Sequence, residues 1–95
     1  MLFEWDDAKD AANRAKHGIG FDEAAKIFDG PVLTEPSPRD HDEEARFKSI
    51  GVMRGALIVA VVHVDRSGAL RIISARPAHK TERSRYHGTY GPRET

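Results

Sequence analysis

The sequence predicts an α+β fold: two N-terminal helices packed on one face of a three- to four-stranded antiparallel sheet, then a short C-terminal helix. Three observations lead there. Small and aromatic residues recur at helical spacing before residue 30. A nearly unbroken apolar run, Ala56-Leu57-Ile58-Val59-Ala60-Val61-Val62-His63-Val64, is too β-branched for a helix and reads as a central strand buried on both faces. Short turns flank it on both sides, which gives a meander of strands and not a strand–helix–strand repeat.

The elements follow in order. Asp6 caps a helix to about Lys16, with Ala8, Ala11, Ala12 and Ala15 forming a small-residue face and Gly18 as the stop. Phe21, Ala24, Ala25 and Phe28 repeat the spacing in a second short helix, closed by Gly30-Pro31. Val32–Glu35 reads as a short strand. Pro36–Glu44 reads as an exposed loop, with two prolines and a run of acids. Arg46–Met53 is a strand with Phe47 and Ser49 on one side and Lys48 and Ile50 on the other. Arg54-Gly55 is a tight turn before the central strand, and Asp65-Arg66-Ser67-Gly68 a hairpin turn after it. Leu70–Ala75 is the last strand. Pro77 suits the first turn of a helix running to about Tyr86. Gly88–Thr95 reads as a frayed polar tail.

The 95 residues make a single domain, 1–95, with a small core. There is no cysteine, hence no disulfide, thiol nucleophile or thiolate metal ligand. The five histidines lack short ligand spacing, and no metal or other cofactor is expected. No apolar run is long enough to cross a membrane. The acidic N-terminus, Met1–Asp7, carries no signal-peptide pattern, so a cytoplasmic location is expected. The formal net charge is zero, yet the charges are segregated. Residues 1–45 hold five Lys/Arg against twelve Asp/Glu; residues 46–95 hold ten against three. A basic half of this kind suits phosphate binding, although the halves also neutralise each other in a fold.

The residues Phe3-Glu4-Trp5-Asp6 with Lys9 and Asn13, Lys16-His17-Gly18 with Phe21 and Glu23-Ala24, Phe28-Asp29, Arg46-Phe47-Lys48-Ser49-Ile50-Gly51, Val62-His63, Arg71-Ile72-Ile73-Ser74-Ala75-Arg76, Ala78, Glu82-Arg83 and Tyr86 occur in one order over residues 3–86. Each piece is weak; the ordered set resembles the BrnT toxins of bacterial type II toxin–antitoxin systems, small ribonucleases with a RelE-like fold. The resemblance implies an endoribonuclease that arrests translation. It also implies a BrnA-like ribbon-helix-helix antitoxin as partner, in a complex with two toxin copies that reaches operator DNA through the antitoxin. One departure is His79, where the family often carries threonine.

RNA cleavage through the 2′-hydroxyl needs a base, positive charge at the phosphorane and an acid for the leaving oxygen. Glu82, among Arg76, Lys80, Arg83 and Arg85, is the candidate base, although the cations that keep it ionised also weaken it, and a surface ion pair reads the same way. Arg76, at the junction of last strand and final helix, suits phosphate. Arg66 in the hairpin turn reaches the same face or is a solvated turn residue. Lys80 and Arg83, three apart on a helix, share a face. His79 is the candidate acid. Arg46 and Lys48 form a possible basic stripe for RNA, with Arg71 and Arg85 as further contacts. His63 at a strand end is more often structural, and His17 suits a helix C-terminus. Trp5 and Phe21 read as anchors between helices and sheet, and Asp40–Glu44 as a solvated acidic loop. Two rival readings stay open: a non-catalytic RNA-binding or co-repressor module, and a purely structural protein whose charged halves pair.

Overall fold

In the computed structural model, which describes residues 1–37 and 44–91, Asp6 is the N-cap of α1 (Asp7–His17), its carboxylate accepting from the Lys9 amide at 3.0 Å. Gly18, at φ 70°, closes the helix in the left-handed conformation that a Cβ would penalise. One turn of helix, α2 (Phe21–Ala24), continues into a 3₁₀ turn over Ala25–Asp29. The strands are β1 (Leu2–Trp5), β2 (Leu33–Pro36), β3 (Phe47–Met53), β4 (Leu57–Arg66) and β5 (Ala69–Pro77), and α3 (Lys80–Tyr90) ends the described chain. The β3–β4 and β4–β5 hairpins each turn on two positive-φ residues, Arg54-Gly55 and Ser67-Gly68, whose twist matches the strands they join.

The sheet differs from expectation in two ways. It has five strands in the order β1-β5-β4-β3-β2, and it is mixed, because β1 pairs in parallel with β5. The strand β1 occupies residues to which the sequence assigns no element. The second difference concerns layers. Phe21, Ala24 and Ile27 pack with Val59, Val61, Ile72 and Ala75 on one face. Ala78 and Tyr86, at and within α3, pack with Ile50, Ile58 and Ala60 on the other. Alternate residues of β4 thus enter two cores, and the helices lie on both faces.

Two boundaries also move. Pro77 is the last residue of β5 and not the first turn of a helix. The Ala78 amide continues the ladder by donating to the Ile58 carbonyl at 2.9 Å. The helix α3 begins at Lys80 and runs to Tyr90, so residues 88–90 are helical and not a tail. Its C-terminal half is tied down by the Tyr86 hydroxyl, which donates to Pro31 O at 2.9 Å, and the Tyr90 hydroxyl, which donates to Val32 O. Most of the loop expected over Pro36–Glu44, including Asp40 to Glu43, and the last four residues of the expected tail lie outside the described residues. No helix among the described residues is long and apolar enough to cross a membrane.

A bulge in β5 shapes the rest. Val62 pairs with Ser74 but His63 pairs with Ile72, so Ile73 is extra. Residues 71 and 76 are an odd number apart and would face opposite sides of a regular strand. The bulge reverses the alternation between them. Arg76 pairs with Ala60 and Arg71 with Val64, both even positions of β4, so both arginines face the α3 side.

Candidate functional site

Among the described residues, α3 covers only part of its side of the sheet. The helix lies over Ile50, Ile58 and Ala60, and on the same side of the sheet the strands also carry Lys48, Val62, Arg71, Ser74 and Arg76, each half-buried. Lys48 points there because it alternates with Ser49 in β3, and β3 pairs it with Val62.

Glu82 stands at the edge of this face and is almost wholly buried, with 3% of its side chain exposed. It occupies the third position of α3 and accepts from the His79 amide at 2.8 Å, the carboxylate half of a capping box. Arg76 donates to it twice, at 2.7 and 2.9 Å, in a planar fork. Lys48 closes the cluster at 2.8 Å. A carboxylate with four donors is held far below its ordinary range. The Arg76 fork contributes most, the Lys48 ammonium and the His79 amide contribute further, and together they outweigh the opposing effect of burial. Arg76 in turn is held more firmly protonated by Glu82.

The cluster continues laterally. Lys48 also contacts Glu35 at 3.4 Å, and Glu35 holds Arg85 of α3 through a fork of 2.6 and 3.2 Å. Five charges thus alternate in one row: Arg76, Glu82, Lys48, Glu35, Arg85.

Arg66 is not in that row. It lies at the end of β4, six positions past Ala60 (the pair of Arg76), which is about 20 Å at strand rise. There its fork closes on Glu44 at 2.8 and 2.5 Å, with the charges of Arg71 and Arg46 also acting on that carboxylate. Arg71 approaches Glu4 of β1 at 3.8 Å. The sequence-predicted cations therefore fall into two groups on one face, Lys48, Arg76 and Arg85 at one end and Arg46, Arg66 and Arg71 at the other. Arg83 donates to Ala78 O at 2.7 Å, tethered at the helix start. His79 and Lys80 are exposed at the N-terminus of α3.

Two polar features had no signal in the sequence. Glu35 is one. The other is a chain of side chains across β2, β3 and β4: Thr34 to Ser49 at 2.7 Å, Ser49 to His63 Nε2 at 2.8 Å, and His63 Nδ1 to Asp65 at 2.8 Å. Its order matches the relay of a serine hydrolase. Ser49 is fully buried, however, and no substrate carbonyl can reach it, so the chain is a tie between strands. Phe47 stacks on the His63 ring at 6.0 Å and Phe28 meets it edge-on at 5.6 Å. Only the strand register brings these residues together. Trp5 and Phe21 meet edge-on at 6.2 Å in the core, the anchoring role expected of them. Among the described residues, no group of three or more His, Cys, Asp or Glu is placed to hold a metal ion.

This is a mixed α+β domain with one charged sheet face, on which six cations stand against the carboxylates of Glu4, Glu35, Glu44 and the buried Glu82. The comparisons are narrower. The family model described as the ribonuclease toxin BrnT of type II toxin–antitoxin systems matches residues 5–82. The crystal structure of the Brucella abortus ribonuclease toxin BrnT, at 1.1 Å resolution, superposes with a TM-score of 0.63 at 30% identity, covering 84% of this chain and all of that one. No curated protein sequence matches the chain. The chain belongs to the BrnT family of ribonuclease toxins, and membership in a type II toxin–antitoxin family implies an antitoxin partner.

Proposed function

We propose that the chain is an endoribonuclease that binds RNA across the half-open basic face and cleaves it by general acid/base chemistry. The 2′-oxygen attacks the adjacent phosphorus, its proton passing to a base. The bond to the 5′-oxygen breaks, and that oxygen takes a proton from an acid. Arg76 and Lys48 stabilise the charge of the phosphorane, which is the larger contribution at such a site. Proton transfer adds roughly 10²–10⁴-fold. His79, exposed at the N-cap of α3, carries the proton to the leaving oxygen. Arg46, Arg66, Arg71, Arg85, Lys80 and Arg83 hold the RNA backbone.

Glu82 has a different part from the one its sequence position suggested. A carboxylate with four donors and a strongly lowered pKa is a poor proton acceptor, so it serves as a positioning residue that holds Arg76 and Lys48 side by side. That shared carboxylate is the observation carrying the reading, since it fixes two cations about one point before substrate arrives. Cleavage arrests translation. A ribbon-helix-helix antitoxin of the BrnA type neutralises the toxin in the cytoplasm, in an assembly with two toxin copies that binds operator DNA through the antitoxin.

The engagement of Glu82 also gives the rival reading its footing: with that carboxylate consumed, the chain acts as a non-catalytic RNA-binding or co-repressor module. One experiment separates the two. Purified, antitoxin-free chain is incubated with mixed RNA, with and without ribosomes, beside Arg76→Ala and His79→Ala. Cleavage by wild type, lost in Arg76→Ala and reduced roughly tenfold or more in His79→Ala, is the expected result. RNA binding with no cleavage under either condition supports the module instead.

A further inference from the structure

The arginine forks of the basic face are not equivalent. Arg76 is held by Glu82, whose side chain is 3% exposed. Arg66 is held by Glu44 with both side chains about half exposed, at 46% and 49%. Arg85 is held by Glu35 at 46% and 25%. All three contacts engage both carboxylate oxygens, the same two-point geometry in which a guanidinium holds a phosphate. Exposed pairs of this kind are worth little, because water and salt compete for them. A buried pair is not open to exchange without stranding its charges.

We propose that Glu44 and Glu35 are internal stand-ins for RNA phosphates, occupying two phosphate subsites at Arg66 and Arg85 that an incoming backbone takes by exchange. The inference rests on the reading that this face binds RNA. It divides the cations by task. Arg76 and Lys48 stay fixed on Glu82 and form the permanent centre. Arg66 and Arg85 are released to substrate only when a phosphate displaces their own carboxylates. The free protein therefore presents a muted charge, and its grip on RNA is weaker than six cations would give. Both subsites lie on the α3 side, at opposite ends of the face, so a single strand crossing the centre meets each in turn.

The test is the affinity of the full chain for a fluorescein-labelled 2′-O-methyl RNA of mixed sequence, which the chain cannot cleave, read by fluorescence anisotropy at low salt. Glu44→Gln and Glu35→Gln are each expected to bind about two- to fivefold tighter than wild type, with the gain shrinking as salt is added. Glu23→Gln is the control for net charge. Glu23 makes an equally good fork with Arg54, at 2.6 and 2.7 Å, but at the β3–β4 turn beside α2, away from the face. It should leave affinity unchanged. The decisive arm is Glu44→Gln placed in an Arg66→Ala background. Competition for the Arg66 fork predicts that the gain disappears there; general repulsion of RNA by a carboxylate predicts that it persists. Binding by wild type with no gain in either variant, an equal gain in Glu23→Gln, or a gain that survives Arg66→Ala overturns the exchange while leaving the basic face as the RNA site. No salt-sensitive binding by any form overturns both.

Discussion

Replacing Glu82 by Gln removes one charge and strands two. Arg76 and Lys48 keep only 26% and 19% of their side chains exposed, and both lose the carboxylate that neutralises them. Removing one member of a buried pair costs about 3–5 kcal/mol. The figure falls here because Lys48 retains Glu35 at 3.4 Å and both cations reach some water. A loss of about 2–4 kcal/mol follows. For a domain of 95 residues each kcal/mol moves the midpoint by about 4–8 °C, so the variant should melt roughly 10–25 °C below wild type at pH 7. The pH dependence supplies a second check. The folded-state pKa of Glu82 lies below its ordinary 4.5. Its contribution is therefore fully present above about pH 4.5 and is lost as pH falls toward the folded value. The gap in Tm between wild type and Glu82→Gln should be full at pH 7 and narrow progressively below pH 4.5. Thermal unfolding followed by circular dichroism reads both. A loss under about 1 kcal/mol at pH 7, or a gap that stays constant into acid, would refute the clamp.

Other positions give equally direct expectations. Asn13→Ala leaves three buried backbone groups without partners, since the Asn13 side chain donates to Ile19 O and Ala75 O and accepts from the Ala75 amide; urea unfolding should show a loss of about 2–4 kcal/mol, with unchanged RNA chemistry in the folded fraction. Gly51→Ala would put a Cβ 2.9 Å from Ile27 Cβ and 3.1 Å from Val32 Cγ1, where the 3₁₀ turn crosses β3, and should cost about 1–3 kcal/mol by the same assay. Ser49→Ala removes a fully buried hydroxyl that links Thr34 to the buried His63, and a loss of about 1–3 kcal/mol with normal cleavage would support a tie and not a reactive group.

Much of the fold is legible because its signals are local. The Asp6 cap, the Gly18 stop, the alternation of Phe47 to Ile50 and the Gly-containing turns each depend on neighbours in sequence. The strand β1 is not local: its four residues order only against β5, some 67 positions later. Pro77 satisfied the rule for a helix start, yet it also fits the end of a strand, where no ladder donor is required of it. The two-sided apolarity of β4 implies two layers, since a strand buried on both faces needs one on each, and α3 supplies the second. At the site, Arg76 and Glu82 were legible as neighbours of one junction. The union of Arg71 with Arg76 on one face was not, because it depends on the bulge at Ile73, and the sequence parity says the opposite. Nor was the engagement of Glu82 by Lys48, thirty-four residues earlier, which depends on the pairing of β3 with β4 and on where α3 lies.

The central claim, that this face performs transesterification on RNA, is tested most directly by the chemistry of the product ends. RNA cleaved by the antitoxin-free chain should carry a 2′,3′-cyclic phosphate or its opened monophosphate on one fragment and a 5′-hydroxyl on the other, and RNA with 2′-deoxy residues throughout should survive intact. Products bearing a 5′-phosphate and a 3′-hydroxyl, or cleavage of the 2′-deoxy chain at an equal rate, would contradict it.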